Sequence, residues 1–207
     1  VSPPYVTDAP AGFALTGRTI EDVFAFGHGP GGAGKGTFLN TIKAVMGNYA
    51  EVIATEALVV SHNDRHSEEL ARLQGARLVI GSETEEGTRW AEAKIKRLTG
   101  GDPIAARFMR QNTFEFMPQF KLFIIGNHRP TLRNVDEAMR RRLHLVPFEA
   151  RIAPEDKDLQ LGQKLVAEYP AILRWMIDGC LAWQRGGLAP PEAVLAASAD
   201  YFQAEDV

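Results

Sequence analysis

Gly29-Pro30-Gly31-Gly32-Ala33-Gly34-Lys35-Gly36-Thr37 is the stretch whose reading decides the fold of this chain. An apolar run at 23–26 precedes it and reads as a short buried strand. Phe38, Leu39, Ile42, Val45 and Met46 follow it on one face of a helix that stops at Gly47. Strand, glycine-rich loop, lysine and helix in that order predict a phosphate-binding loop. Glycines let backbone N–H groups curl around an anion with no Cβ in the way, and the helix N-terminus adds its dipole. Lys35 supplies a mobile point charge for β- and γ-phosphates. One position departs from the pattern. Where Ser or Thr normally offers a hydroxyl to Mg²⁺, this chain has Gly36, and Thr37 comes one residue later, about 100° further round the helix. Either Thr37 takes over the hydroxyl role or the ion is held through water.

The rest of the composition narrows the class. A chain of 207 residues can bury one good core with a small helical appendage, and 45% hydrophobic with 24% charged residues is the balance of a soluble globular protein. No apolar run has the length needed to cross a bilayer and no signal peptide is visible, so no membrane partner is expected. The chain opens at Val1 without Met and is expected to be a fragment of something longer. A single cysteine, Cys180, excludes an internal disulfide, fits a reducing compartment and reads as a packed core thiol. A net charge of −3 argues against a domain that coats nucleic acid, so any such contact must come from a local basic cluster.

Taken in order, residues 1–18 read as a lead-in with three prolines and little periodicity, and 49–54 as a second strand. His62 and His66 lie in a polar, loop-like stretch with no third ligand at suitable spacing, which argues against a metal site. The run Arg77-Leu78-Val79-Ile80-Gly81-Ser82-Glu83 is a buried strand that ends abruptly in an acid. Such a strand delivers a carboxylate to the edge of a sheet beside the phosphate loop, where it can hold Mg²⁺ or orient the attacking water. Glu83 is the chosen residue; Glu85 and Glu86 read as acids at a helix N-terminus. A helix at 88–98 leads to two short alternating stretches, 104–109 and 114–117, that predict a β-hairpin. Between positions 94 and 110, Lys94, Lys96, Arg97, Arg107 and Arg110 stand against Asp102 alone, a candidate contact for a nucleic-acid backbone. The strand at 120–125 ends at Asn127, whose amide can bond a γ-phosphate or the attacking water while staying neutral. Arg140, Arg141 and Arg142 cannot all share one helix face, so at least one points away from the local surface, a candidate to reach a neighbour's nucleotide. A strand at 143–148 follows, then helices at 156–166, 170–185 and 190–202, with turns at Tyr169-Pro170 and Gly186-Gly187. Ile172, Trp175, Met176, Gly179 and Trp183 make one apolar stripe that reads as core packing.

With these features in hand, the order resembles the superfamily 3 helicase domain at the C-terminal end of phage and plasmid primase–helicase proteins, the group that includes poxvirus-type primase–helicases. The resemblance runs over nearly the whole chain and is strongest at 71–87, 94–104, 120–130 and 136–148, with 168–175 similar to the helical segment that follows the ATPase. It implies an α/β fold of P-loop NTPase, AAA+-like type: a parallel sheet flanked by helices, a basic β-hairpin and a C-terminal helical segment. The implied organisation is a lead-in at 1–18, an ATPase core at 19–149 and a helical segment at 150–207. The resemblance further implies that Lys35 binds phosphate, Glu83 is the Walker B acid, Asn127 the sensor, and Arg141 or Arg142 the finger that reaches an adjacent subunit. ATP and Mg²⁺ are the implied cofactors, with Thr37 and Glu83 the metal ligands. Single-stranded DNA, further copies in a hexamer, and an N-terminal primase region of the same polypeptide are the implied partners, in the cytoplasm of a bacterial host. Many members carry Ser where this chain has Gly36, and Thr84 stands where an acid often follows the Walker B residue. Two other readings compete: a small-molecule nucleotide kinase, whose phosphate loop Gly34-Lys35-Gly36-Thr37 also resembles, and an ATP-binding replication scaffold without helicase activity.

Overall fold

The computed structural model describes residues 8–60, 67–82, 89–129, 132 and 136–205. Its strands are β1 (Phe24–His28), β2 (Ala50–Ile53), β3 (Leu78–Ser82), β4 (Ile104–Ala106), β5 (Phe114–Phe116), β6 (Lys121–Gly126) and β7 (Leu143–Pro147). Its helices are α1 (Asp8–Ala14), α2 (Lys35–Met46), α3 (Ser67–Ala71), α4 (Glu92–Thr99), α5 (Glu137–Arg140), α6 (Leu161–Gly186) and α7 (Glu192–Glu205). Five strands form one parallel sheet in the order β2-β3-β6-β1-β7, and β4 pairs antiparallel with β5 in the expected hairpin. This is the α/β, P-loop NTPase-like architecture that the sequence predicts.

Both faces of the sheet are buried, and the alternation along each strand says which side goes where. Phe24 and Phe26, Leu122 and Ile124, Leu143 and Leu145 point to one face, where α4, the hairpin and α7 cover them through Ile95, Leu98, Ile104, Phe116, Tyr201 and Phe202. Leu78, Ile80, Phe123 and Ile125 point to the other, against Leu39 and Ile42 of α2, Ala14 of α1 and Met176 of α6. Each large side chain buried in this way contributes about 1.5–3 kcal/mol. At the outer edge of β7, the Ser198 hydroxyl of α7 accepts the Leu145 N–H at 2.9 Å, so a helix closes that side of the strand.

Three local expectations change. The lead-in holds a helix, α1, whose Phe13 stacks on Trp183 with ring centroids 4.3 Å apart. Its seven residues include Pro10 and are too few for periodicity to show. Gly12 lets α1 approach α6 closely, since a Cβ there would stand 2.1 Å from the Cys180 nitrogen. Tyr169-Pro170 is no turn: α6 runs unbroken through Pro170. The ring removes one helical bond, at about 3 kcal/mol, and the burial of Met176 and Trp183 on the same helix offsets it. The hairpin strands are shorter than expected, leaving a loop at 107–113 in which Arg110 adopts φ 61°.

Candidate active site

Because the sheet strands are parallel, β1, β3, β6 and β7 all end at the same edge. Register places His28 beside Gly126 and beside Pro147, so Asn127 and Phe148 flank the loop that leaves β1. Gly29 starts that loop at φ +154° with the Phe148 carbonyl where a Cβ would lie, 2.0 Å away, and only glycine fits there. Gly32 and Gly34, at φ +83° and +84°, curl the chain into α2, and a Cβ on either would meet open space. The loop therefore presents its backbone at the N-terminus of a twelve-residue helix.

Lys35 is buried, and its ammonium donates to the Gly29 carbonyl at 2.6 Å, the Pro30 carbonyl at 3.0 Å and Asn127 Oδ1 at 3.1 Å. An ammonium has three N–H donors, and these three acceptors use them all. Burial lowers its pKa from the ordinary lysine value. A phosphate oxygen entering the loop would draw the ammonium from these neutral acceptors to an anionic one, a stronger hydrogen bond. His28, at the end of β1, has its pKa lowered by burial and then by the charges of Arg129, Lys35 and His128.

Thr37 is exposed in the first turn of α2, and Gly36 beside it has nothing within 4 Å of its ideal Cβ. Glu83 lies outside the described residues, as do Glu85, Glu86, His62 and His66; β3 ends at Ser82, paired with Ile125 two residues before Asn127. Among the described residues no group of three or more His, Cys, Asp or Glu is arranged to hold a metal.

The arginines sit at the opposite edge of the sheet. Arg142 turns inward: its side chain is 9% exposed, and Nη2 donates to Asp22 Oδ2 at 2.8 Å. Arg141 turns outward, 65% exposed and 3.9 Å from the same oxygen. Arg140 lies over the Phe202 ring, 5.2 Å from its centroid. Of the five basic residues near the hairpin, Arg97, Arg107 and Arg110 are exposed, while Lys94 and Lys96 are half-buried and Lys96 forms an ion pair with Asp136 at the N-cap of α5. Phe108 stacks on Phe114 at 5.7 Å and props the loop that carries Arg107 and Arg110. Sequence reasoning missed Asp22, which is separated from Arg142 by 120 positions and has no motif around it.

The model of a family of unknown function, DUF5906, matches residues 27–142, from the end of β1 to the arginines. A protein of Acanthamoeba polyphaga mimivirus is 25% identical to this chain over 93% of it, and one of Frog virus 3 (isolate Goorha) is 28% identical over 95%; both are named "Putative helicase". The chain spans 22% of the length of each of these curated relatives. Among solved structures, the apo C-terminal region of NrS-1 superposes with a TM-score of 0.65 at 13% identity, over 82% of this chain and 40% of that one. The sequence relatives thus carry a helicase name and the structural neighbour shares the fold. No helix among the described residues is long and apolar enough to cross a membrane.

Proposed function

The chain belongs to the DUF5906 family, and on that footing we propose that it is the ATP-hydrolysing motor of a DNA helicase or translocase of the superfamily 3 type, part of a replication polypeptide that also carries a priming region. The observation that carries this reading is the Lys35 ammonium, held on two loop carbonyls and Asn127 at the carboxyl edge of a parallel sheet. The helicase names of the relatives support the class.

In this reading the backbone N–H groups of 31–35 cradle the ATP phosphates and Lys35 moves from Gly29 and Pro30 to the β- and γ-oxygens. Asn127 keeps Oδ1 toward Lys35 and offers its amide N–H to the γ-phosphate or the attacking water. Glu83 orients that water. Thr37 and Glu83 would hold Mg²⁺, which when bound neutralises charge on the β- and γ-phosphates. Arg141 cannot serve its own loop. It precedes β7, and the five residues of that strand put roughly 17 Å between the arginine and the edge where Gly29 lies. It acts instead on the nucleotide of an adjacent copy, in a ring taken to be a hexamer. Arg97, Arg107 and Arg110 face single-stranded DNA in its channel, with Lys94 and Lys96 behind them.

The test is steady-state ATP hydrolysis with and without single-stranded DNA, alongside sizing in the presence of both ligands. DNA is expected to stimulate turnover in an oligomer, and Lys35→Ala to reduce it to background. Unstimulated activity in a strictly monomeric preparation would overturn the helicase reading and favour the nucleotide kinase.

A further inference from the structure

Asp22 stands two residues before β1 and has no part in the chemistry above. Its Oδ2 accepts from Arg142 Nη2 at 2.8 Å and lies 3.9 Å from Arg141 Nη2. Arg142 also donates from Nη1 to the Ala138 carbonyl at 3.1 Å, and its Nε–H is buried without an acceptor among the described residues. A guanidinium so placed needs a counter-charge, so the Asp22 carboxylate is committed to Arg142. One carboxylate shared by two guanidiniums leaves a net positive charge, and the exposed member carries it. Arg141 is a surface cation held from behind.

Asp22 is itself held. The neighbouring Glu21 carbonyl accepts from Lys121 Nζ at 2.9 Å, and Glu21 Oε1 accepts from Trp183 Nε1 of α6 at 2.6 Å. Lys121 is in turn seated over the Phe13 ring, 3.9 Å from its centroid. On the other side, the Phe24 N–H donates to the Arg142 carbonyl at 2.8 Å, which ties the backbones of the two partners together where β1 and β7 begin. A carboxylate on a backbone anchored on both sides has one place to be.

We propose that Asp22 is a positioning residue: by clamping Arg142 and drawing on Arg141, it sets where Arg141 is presented to the nucleotide of an adjacent copy. The proposal rests on the trans-acting arginine of the functional reading. Nothing in Asp22 touches its own nucleotide loop, since the whole of β1 separates them.

Asp22→Asn keeps the shape and one acceptor while removing the charge. In the full-length oligomer with single-stranded DNA, kcat for ATP should fall at least tenfold, a fraction of the roughly 10³–10⁵ that a trans-acting arginine supplies. KM for ATP should change less than about twofold, because the binding loop is untouched. Adding Lys35→Ala subunits, inactive but intact at Asp22 and Arg141, should restore turnover severalfold, because a neighbour now lends a placed arginine. A folding defect stays with the chain that carries it and is not restored. If Asp22→Asn fails to assemble, Asp22→Glu enters the same mixing experiment, with a smaller loss and the same restoration expected. Wild-type kcat in the variant, or a loss that mixing does not restore while that of Arg141→Ala is restored, overturns the role of Asp22 alone. If mixing restores neither, the trans-acting arginine falls and takes this proposal with it.

Discussion

At its carboxyl end β1 runs into a loop in which Gly31, Gly32, Gly34 and Gly36 all have open space where a Cβ would stand, while at its amino end Asp22, Arg142, Lys121, Glu21 and Trp183 close on one another through hydrogen bonds and ion pairs. Each end has a lysine whose pKa burial lowers, but they are used differently. Lys35 rests on neutral acceptors that an anion can replace; Lys121, half-buried, rests on the Glu21 carbonyl and the Phe13 ring. One end of the strand leaves backbone free to receive charge, and the other spends its charges on holding position. The contrast teaches that one strand can open into bare glycine at one edge of a sheet and be held by a partly buried ion pair at the other.

Substitution at the loop should break that contrast most visibly within the loop itself. Gly29→Ala forces a methyl against the Phe148 carbonyl at 2.0 Å and φ +154°, and should destabilise by about 4 kcal/mol or more or prevent folding. Gly36→Ala meets nothing and sits in a helix, so it should be neutral or stabilise by up to about 1 kcal/mol. Urea denaturation of both reads the difference, and similar losses would mean that the loop is packed rather than open.

At the opposite edge the arginines should separate. Arg142→Ala leaves Asp22 without its close partner and should cost about 2–3 kcal/mol. Arg141→Ala, at an exposed pair, should change stability by no more than about 0.5 kcal/mol. Equal costs in equilibrium unfolding would refute the division into an inner and an outer arginine.

A pH dependence should also separate the two lysines. Burial, opposed by Glu21 and Asp22, lowers the pKa of Lys121 from 10.5 to about 8. Between those two values the unfolded chain binds the proton and the folded one releases it, so folding gains stability as pH rises from about 8 toward 10.5. Relative to Lys121→Met, the unmodified protein should gain about 1–2 kcal/mol across that window, allowing for the solvent contact that Lys121 retains. Parallel stability–pH curves would show that Lys121 is solvated rather than buried.

Most of the architecture was legible because its signals are local. The strands expected at 49–54, 120–125 and 143–148 match β2, β6 and β7 to within a residue or two. The stripe through Ile172, Trp175, Met176 and Trp183 is the packed face of α6. What escaped was either too short, as α1 was, or overridden by packing, as at Pro170. The candidate site divides in the same way. Lys35 and its glycines were readable in place, whereas the bond from Lys35 to Asn127 joins residues 92 positions apart and the Asp22–Arg142 pair joins residues 120 apart.

Sequence alone determined the glycine loop after β1, because left-handed backbone and a Cβ-free path are demands that a few adjacent residues meet by themselves. It also determined that not all of three successive arginines can face the same way, since helical geometry spreads neighbours round the axis. Only the tertiary structure decided which arginine went inward. Burial of a charge is set by what surrounds it: the Ala138 carbonyl lies one helical turn back, but Asp22 and the start of β1 reach Arg142 only once β1 and β7 lie side by side.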